Sequence, residues 1–247
     1  MTHDTTLSYR LWMLGLRLMG RALLHAGYRL RIEGAEQVPA TGGVLVVSNH
    51  VTFHDWLFLG VAMKRPPRFV MHQHHWQFPL LRAFFEASRV IPIAPRREDP
   101  DALDRALRSI DEALANGELV VLYPEGTMTP NGQLSPFRPG LDRVIAKRRV
   151  PVVPVGISGL FGSFFSRARG APMSGLPRRF RAPVTVRVGA PLAPTDGSHA
   201  SVCSLTDASR AAIARLAGPA RDKSYEIEQG RERLAPWAPE VPSRHAA

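Results

Sequence analysis

Short apolar runs, most of them rich in valine and isoleucine, recur along the chain at 43–49, 67–72, 89–94, 118–123, 150–157 and 183–189. Their length and composition suit strands buried on both faces of a sheet. Amphipathic segments separate the first five: 55–64, 78–87, 100–116 and 138–148. In the clearest of these, Leu103, Leu107, Ile110 and Leu114 fall on one helical face, and Asn116-Gly117 ends it. A further helix is expected over 205–217. Alternating strands and helices predict an α/β layered domain with a largely parallel or mixed central sheet flanked by helices. Ligands of such sheets bind beyond the carboxyl ends of the strands.

Two motifs fall at those ends. The run Val44-Leu45-Val46-Val47 leads into Asn49-His50-Val51-Thr52-Phe53-His54-Asp55. His50 would leave the sheet in a turn and Asp55 would open the next helix, where a carboxylate caps free N–H groups. A bend between them brings the carboxylate to one ring nitrogen and frees the other, which is two-thirds of a hydrolase triad. The nucleophilic third is missing. Gly156-Ile157-Ser158-Gly159 lacks the spacing of a nucleophile elbow. The attacking oxygen would then belong to a substrate hydroxyl, with His50 as its base. The bland alternative is an N-cap aspartate beside a loop histidine.

The second motif, Pro124-Glu125-Gly126-Thr127, follows Leu119-Val120-Val121-Leu122-Tyr123. Proline fixes the entry angle and glycine lets backbone approach a ligand. Glu125 would accept from a substrate hydroxyl while nearby N–H groups meet a phosphate; an ordinary turn after a strand is the alternative. Arg138, at a helix start, and the pair Arg96 and Arg97, at a strand end, are candidate phosphate ligands. His50 and His54 stand four apart, and His72-Gln73-His74-His75 form a cluster. Metal binding is not expected of either, since His50 precedes the helix and the cluster reads as a polar or interfacial loop.

The net charge of +11 favours anionic partners. It is spread through the chain without a recognition module, so nucleic acid is not expected. With Cys203 as the one cysteine, no intrachain disulfide can form. Residues 1–32 read as an N-terminal amphipathic segment, helical from Leu7 to Leu30, too interrupted by arginine to span a membrane. On a helix Arg10, Arg17 and Arg21 share one face, and leucines cover the rest, as in a membrane-interface helix. Residues 33–220 would form the main domain. Residues 221–247 read as a charged, proline-rich tail, poorly ordered towards its end.

These blocks together resemble the glycerolipid acyltransferase family, which includes the lysophosphatidic acid acyltransferases. His50 to Asp55 match its His-(four residues)-Asp block. Val90 to Arg97 lie where the family has an arginine that binds glycerol phosphate. Tyr123 to Thr127, with Phe137 to Gly140, resemble its substrate-binding block, and Val150 to Val155 its last apolar block. The resemblance covers about residues 40 to 160. Met128 stands where the family commonly has arginine, and Pro95 falls near the usual arginine of the second block, which leaves headgroup choice open. The resemblance implies O-acyl transfer from acyl-CoA or acyl-carrier protein to lysophosphatidic acid or another lysophospholipid. It implies no bound cofactor. It places the chain peripherally or monotopically on the cytoplasmic face of a bacterial inner membrane, against anionic lipid. A non-catalytic membrane-associated member of the same fold, a hydrolase and a basic nucleic-acid-binding protein are the rivals.

Overall fold

The computed structural model describes residues 7–174, 181–194 and 196–218. Its elements run α1 (Leu7–Gly27), β1 (Tyr28–Glu33), β2 (Val44–Ser48), α2 (Asp55–Ala62), β3 (Pro67–His72), α3 (Pro79–Ala87), β4 (Ile91–Ile93), α4 (Pro100–Ala115), β5 (Leu119–Leu122), α5 (Gly140–Lys147), β6 (Val152–Ser158), β7 (Ala182–Val188) and α6 (His199–Ala217). Seven strands form one mixed sheet in the order β1-β7-β6-β2-β5-β3-β4. Every pairing is parallel except β6 with β7. β2 and β5 sit at the centre, and all five residues of β2 are buried.

The sheet separates two apolar layers. On one face Val44, Val46 and Val121 pack against Phe58 and Leu59 of α2 and Leu24 of α1. On the other, Leu45, Val47 and Val120 pack against Ile110 of α4, Leu141 and Val144 of α5, and Ile213 of α6. Period-two alternation along β2 and β5 supplies both layers, which is why these strands are apolar at every position.

Two expectations are corrected. The N-terminal helix stops at Gly27, and the boundary expected at 32/33 falls inside an edge strand, β1. Tyr28, Leu30 and Ile32 point to the core while Arg29 and Arg31 face out. This alternation matches a strand, and parallel pairing of Tyr28–Glu33 with β7 wins over helix extension. The last helix begins at His199, because the Ser198 side chain accepts from the Ser201 amide and caps it there. The tail expected at 221–247 lies outside the described residues.

Exposed large apolar side chains are concentrated on one side. Leu7, Leu11, Trp12, Leu14, Leu18, Met19 and Leu23 of α1 are exposed, as are Phe78, Leu80 and Leu81 at the start of α3. Trp12 joins the two helices, meeting the Phe84 ring edge-on at 6.2 Å and the Ser88 hydroxyl at 3.3 Å.

Candidate active site

The carboxyl ends of β2 and β5 lie side by side, so their following turns meet. Asn49 fixes the first turn. Its amide bridges to β6, donating to the Ile157 carbonyl at 2.9 Å and accepting from the Ile157 N–H at 2.8 Å. His50 comes next, and the chain then bends so that Asp55 opens α2.

The bend is organised around the Asp55 carboxylate, which is sealed from solvent. Its Oδ2 accepts the Val51 N–H at 2.6 Å and the Thr52 N–H at 2.9 Å, and its Oδ1 accepts the Thr52 hydroxyl. His50 Nδ1 lies 3.0 Å from Oδ2. Both carboxylate oxygens act as acceptors here. The His50 proton therefore sits on Nδ1, leaving Nε2 with its lone pair free. The imidazole, 23% exposed, borders a cleft of about 570 Å³. The Tyr123 ring stacks on it with centroids 4.3 Å apart and planes 19° apart. Burial pushes the Tyr123 phenol well above its ordinary pKa, and its hydroxyl has no hydrogen-bond partner among the described residues.

Glu125 has a different place from the one expected. It is 2% exposed and absent from the cleft wall. Its two oxygens accept the backbone N–H groups of His50 and Ser135, each at 2.7 Å. Burial raises its pKa above the usual carboxylate value, with those two hydrogen bonds opposing the rise. Buried behind the turn, the carboxylate is turned to backbone rather than to the cleft. Glu125 instead braces the turn that carries His50, aided by the Thr129 N–H, which donates to the His50 carbonyl at 2.8 Å.

The remaining expected residues do meet at the cleft. Arg96, Arg97, Gly126, Thr127 and Arg138 all border it. Arg138 donates from Nε to the Glu125 carbonyl at 3.1 Å. Gly126, at φ 66°, makes room for that side chain: a Cβ there would lie 2.5 Å from Arg138 Cδ. Arg96 and Arg97 are exposed and have no carboxylate partner among the described residues. His72 and His75 also border the cleft, His72 pairing with Glu98 at 3.0 Å.

His54 faces away from His50. Its Nε2 lies 3.0 Å from the Tyr28 hydroxyl, and its ring packs among Phe58 and Phe165. Desolvation lowers its pKa to about 4, against a smaller opposing effect of Asp55. It is a neutral packing residue at the head of α2. Sequence reasoning missed Asn49, Thr52 and Tyr123. Thr52 carried a readable signal, a hydroxyl three positions before a helix-opening acid; Asn49 and Tyr123 act across strands and gave none.

A family model described as Acyltransferase matches residues 29–158. The chain is 28% identical over 144 residues to 1-acyl-sn-glycerol-3-phosphate acyltransferase BAT2, chloroplastic, of Brassica napus, covering 58% of this chain and 41% of that protein. It is 31% identical over 129 residues to lysophosphatidylcholine acyltransferase 2 of Rattus norvegicus, covering 51% of this chain and 23% of that one. The chain thus spans less than half the length of these two relatives. Its fold is similar to the crystal structure of the 1-acyl-sn-glycerophosphate (LPA) acyltransferase PlsC from Thermotoga maritima, with TM-score 0.67 at 20% identity, over 95% of this chain and 86% of that one.

Proposed function

The chain belongs to the acyltransferase family, and from that premise we propose that it moves a fatty acyl group from a thioester donor, acyl-CoA or acyl-carrier protein, to a glycerol hydroxyl of lysophosphatidic acid or another lysophospholipid. The observation that carries this reading is His50, oriented by Asp55 through Nδ1 and open to the cleft through Nε2. Nε2 removes the hydroxyl proton as the oxygen attacks the thioester carbonyl. Asp55 stabilises the imidazolium that forms. Collapse of the tetrahedral intermediate breaks the carbon–sulfur bond, and the thiolate leaves with the proton from Nε2. Tyr123, stacked face to face on His50, adds a π-surface for the cation.

Arg96, Arg97 and Arg138 at the cleft rim receive the acceptor phosphate, and Gly126 and Thr127 shape the floor beside them. Met128 borders the same cleft where the family commonly has arginine, which favours an acceptor held by fewer charges. The relatives' printed names cover both lysophosphatidic acid and lysophosphatidylcholine chemistry, and the acceptor lies within that class.

The protein works at the cytoplasmic face of a bacterial inner membrane, peripherally or monotopically. The apolar row on α1 supports this, with Arg10 and Arg21 exposed beside it to meet lipid phosphates. Among the described residues no helix is long and apolar enough to cross a membrane.

The test is transfer from labelled acyl-CoA or acyl-carrier protein to a panel of lysophospholipids in detergent. Acceptor-dependent product that disappears in His50→Ala supports the reading. Free fatty acid made without any acceptor would replace transfer by hydrolysis, and turnover retained by His50→Ala would remove the base from the mechanism.

A further inference from the structure

Transfer brings two phosphorylated substrates to His50 at once, so two anion sites are needed. The cleft that His50 borders does not end at the rim carrying Arg96 and Arg97. It runs on between α4 and α5. Leu107, Ile110, Arg143 and Val144 wall both the cleft and a second groove of about 220 Å³, which adds Asp104, Arg108 and Asp111 of α4 and, one turn further along α5, Lys147. Arg108 and Arg143 are exposed and form no ion pair among the described residues. Lys147 is different, since Asp111 holds it at 3.2 Å and also holds Arg148 at 2.7 Å. The groove therefore has an apolar floor, two unpaired guanidinium groups on its walls and an ion-paired far end. Asp104 is its remaining acid.

We infer that this α4–α5 groove receives the 4′-phosphopantetheine arm of the acyl donor, with Arg143 and Arg108 binding its phosphate. The inference rests on the acyl-transfer reading for the identity of the donor. The arm is long and narrow, with an apolar gem-dimethyl segment beside its phosphate, and it is common to acyl-CoA and acyl-carrier protein. The groove matches it in order: thioester at His50, arm along Leu107 and Val144, phosphate at the arginines.

The two faces of the sheet give independent support. Nearly all exposed large apolar side chains among the described residues lie on α1 or at the start of α3. None lies on α4, α5 or α6, which pack on the opposite face. A water-soluble donor can then approach from the side turned away from lipid. The lipid-facing side has the exposed leucines, and the α4–α5 side has cations suited to a soluble anion.

The experiment compares three donors sharing one acyl chain, acyl-CoA, acyl-carrier protein and acyl-pantetheine, which lacks the phosphate. Arg143→Ala should raise the donor KM about tenfold for the first two, with the penalty absent for acyl-pantetheine and the lysophospholipid KM unmoved. Arg108→Ala should act in the same direction. Equilibrium binding of unacylated CoA to the full chain should weaken by the same factor, and this holds even if no acyl transfer is found. Weakened CoA binding without His50-dependent turnover would keep the groove and overturn the transfer reading. A shift in acceptor KM would assign Arg143 to the lipid phosphate instead. A penalty for acyl-CoA alone would mean that the nucleotide phosphates are bound rather than the shared one. An equal penalty on acyl-pantetheine, or no change in any donor, would overturn the inference.

Discussion

Asp55→Asn and Asp55→Ala together separate chemistry from folding. Asp55 accepts from the Val51 and Thr52 amides, the Thr52 hydroxyl and His50. In Asp55→Asn the amide oxygen can take the place of Oδ2 and still accept both backbone N–H groups and His50. The new NH2 then faces the Thr52 hydroxyl, which can rotate to accept. The polar groups stay paired and the loop keeps its shape. What disappears is the negative charge beside the imidazolium. The same substitution in a serine-protease triad lowers kcat by about 10⁴, roughly 5 kcal/mol of transition-state stabilisation, by disturbing both the tautomer and the charge beside the base. Both substrate KM values should hold, because neither touches Asp55. Asp55→Ala behaves differently. It strands three donors on Val51 and Thr52, which are 5% and 0% exposed. At about 1–3 kcal/mol for each orphaned donor, the cost is of the order of 3–9 kcal/mol, comparable with the whole stability of a domain. Steady-state kinetics and thermal melts on both variants check the pair. A kcat for Asp55→Asn within tenfold of the parent would refute the reasoning. Asp55 would then be a helix cap and loop brace, and His50 would act without a charged partner.

Three other outcomes are expected. Glu125→Gln removes one acceptor from a buried pair of backbone hydrogen bonds, so kcat and Tm should both fall while the acceptor KM holds; a raised KM with normal kcat would restore Glu125 to substrate binding. His54 is held neutral, with a folded pKa of about 4 against 6.5 unfolded, so the unfolded chain binds the extra proton between those values. Stability from this group is present above pH 6.5 and lost as pH falls towards 4, by roughly 3 kcal/mol in all; urea melts of His54→Gln should show a flatter pH dependence, and an unchanged slope would sink the assignment. Leu14→Glu with Leu18→Glu should release the protein from anionic vesicles by at least tenfold, and flotation unaffected by both would exclude α1 as the lipid contact.

The α/β layering was legible because β2, β5 and β6 are buried on both faces and so carry unbroken apolar runs, while α4 repeats one apolar face with a clear stop. The edge strand β1 was not. Its six residues follow a helix without proline or polar turn signals, and only pairing with β7, more than 150 residues away, decides its state. The antiparallel entry of β7 beside β6 is likewise a matter of long-range pairing. His50 and Asp55 were legible because the pair lies within five residues, inside one turn. Glu125 was found but misassigned, since its partners are backbone amides at His50 and Ser135, and nothing local says which way its side chain turns.

The sequence by itself determined the alternating elements, the strand ends that bear the chemistry and the residue types of the base and its orienting acid, because these follow from local periodicity and short spacing. Only the tertiary structure decided that Glu125 braces His50 rather than the substrate, that Tyr123 stacks on the imidazole, that His54 is buried away from it, and that one cleft continues between α4 and α5. Each of those depends on which distant strand ends become neighbours in the sheet, and hydrogen bonds and desolvation act only between groups the fold has already brought together.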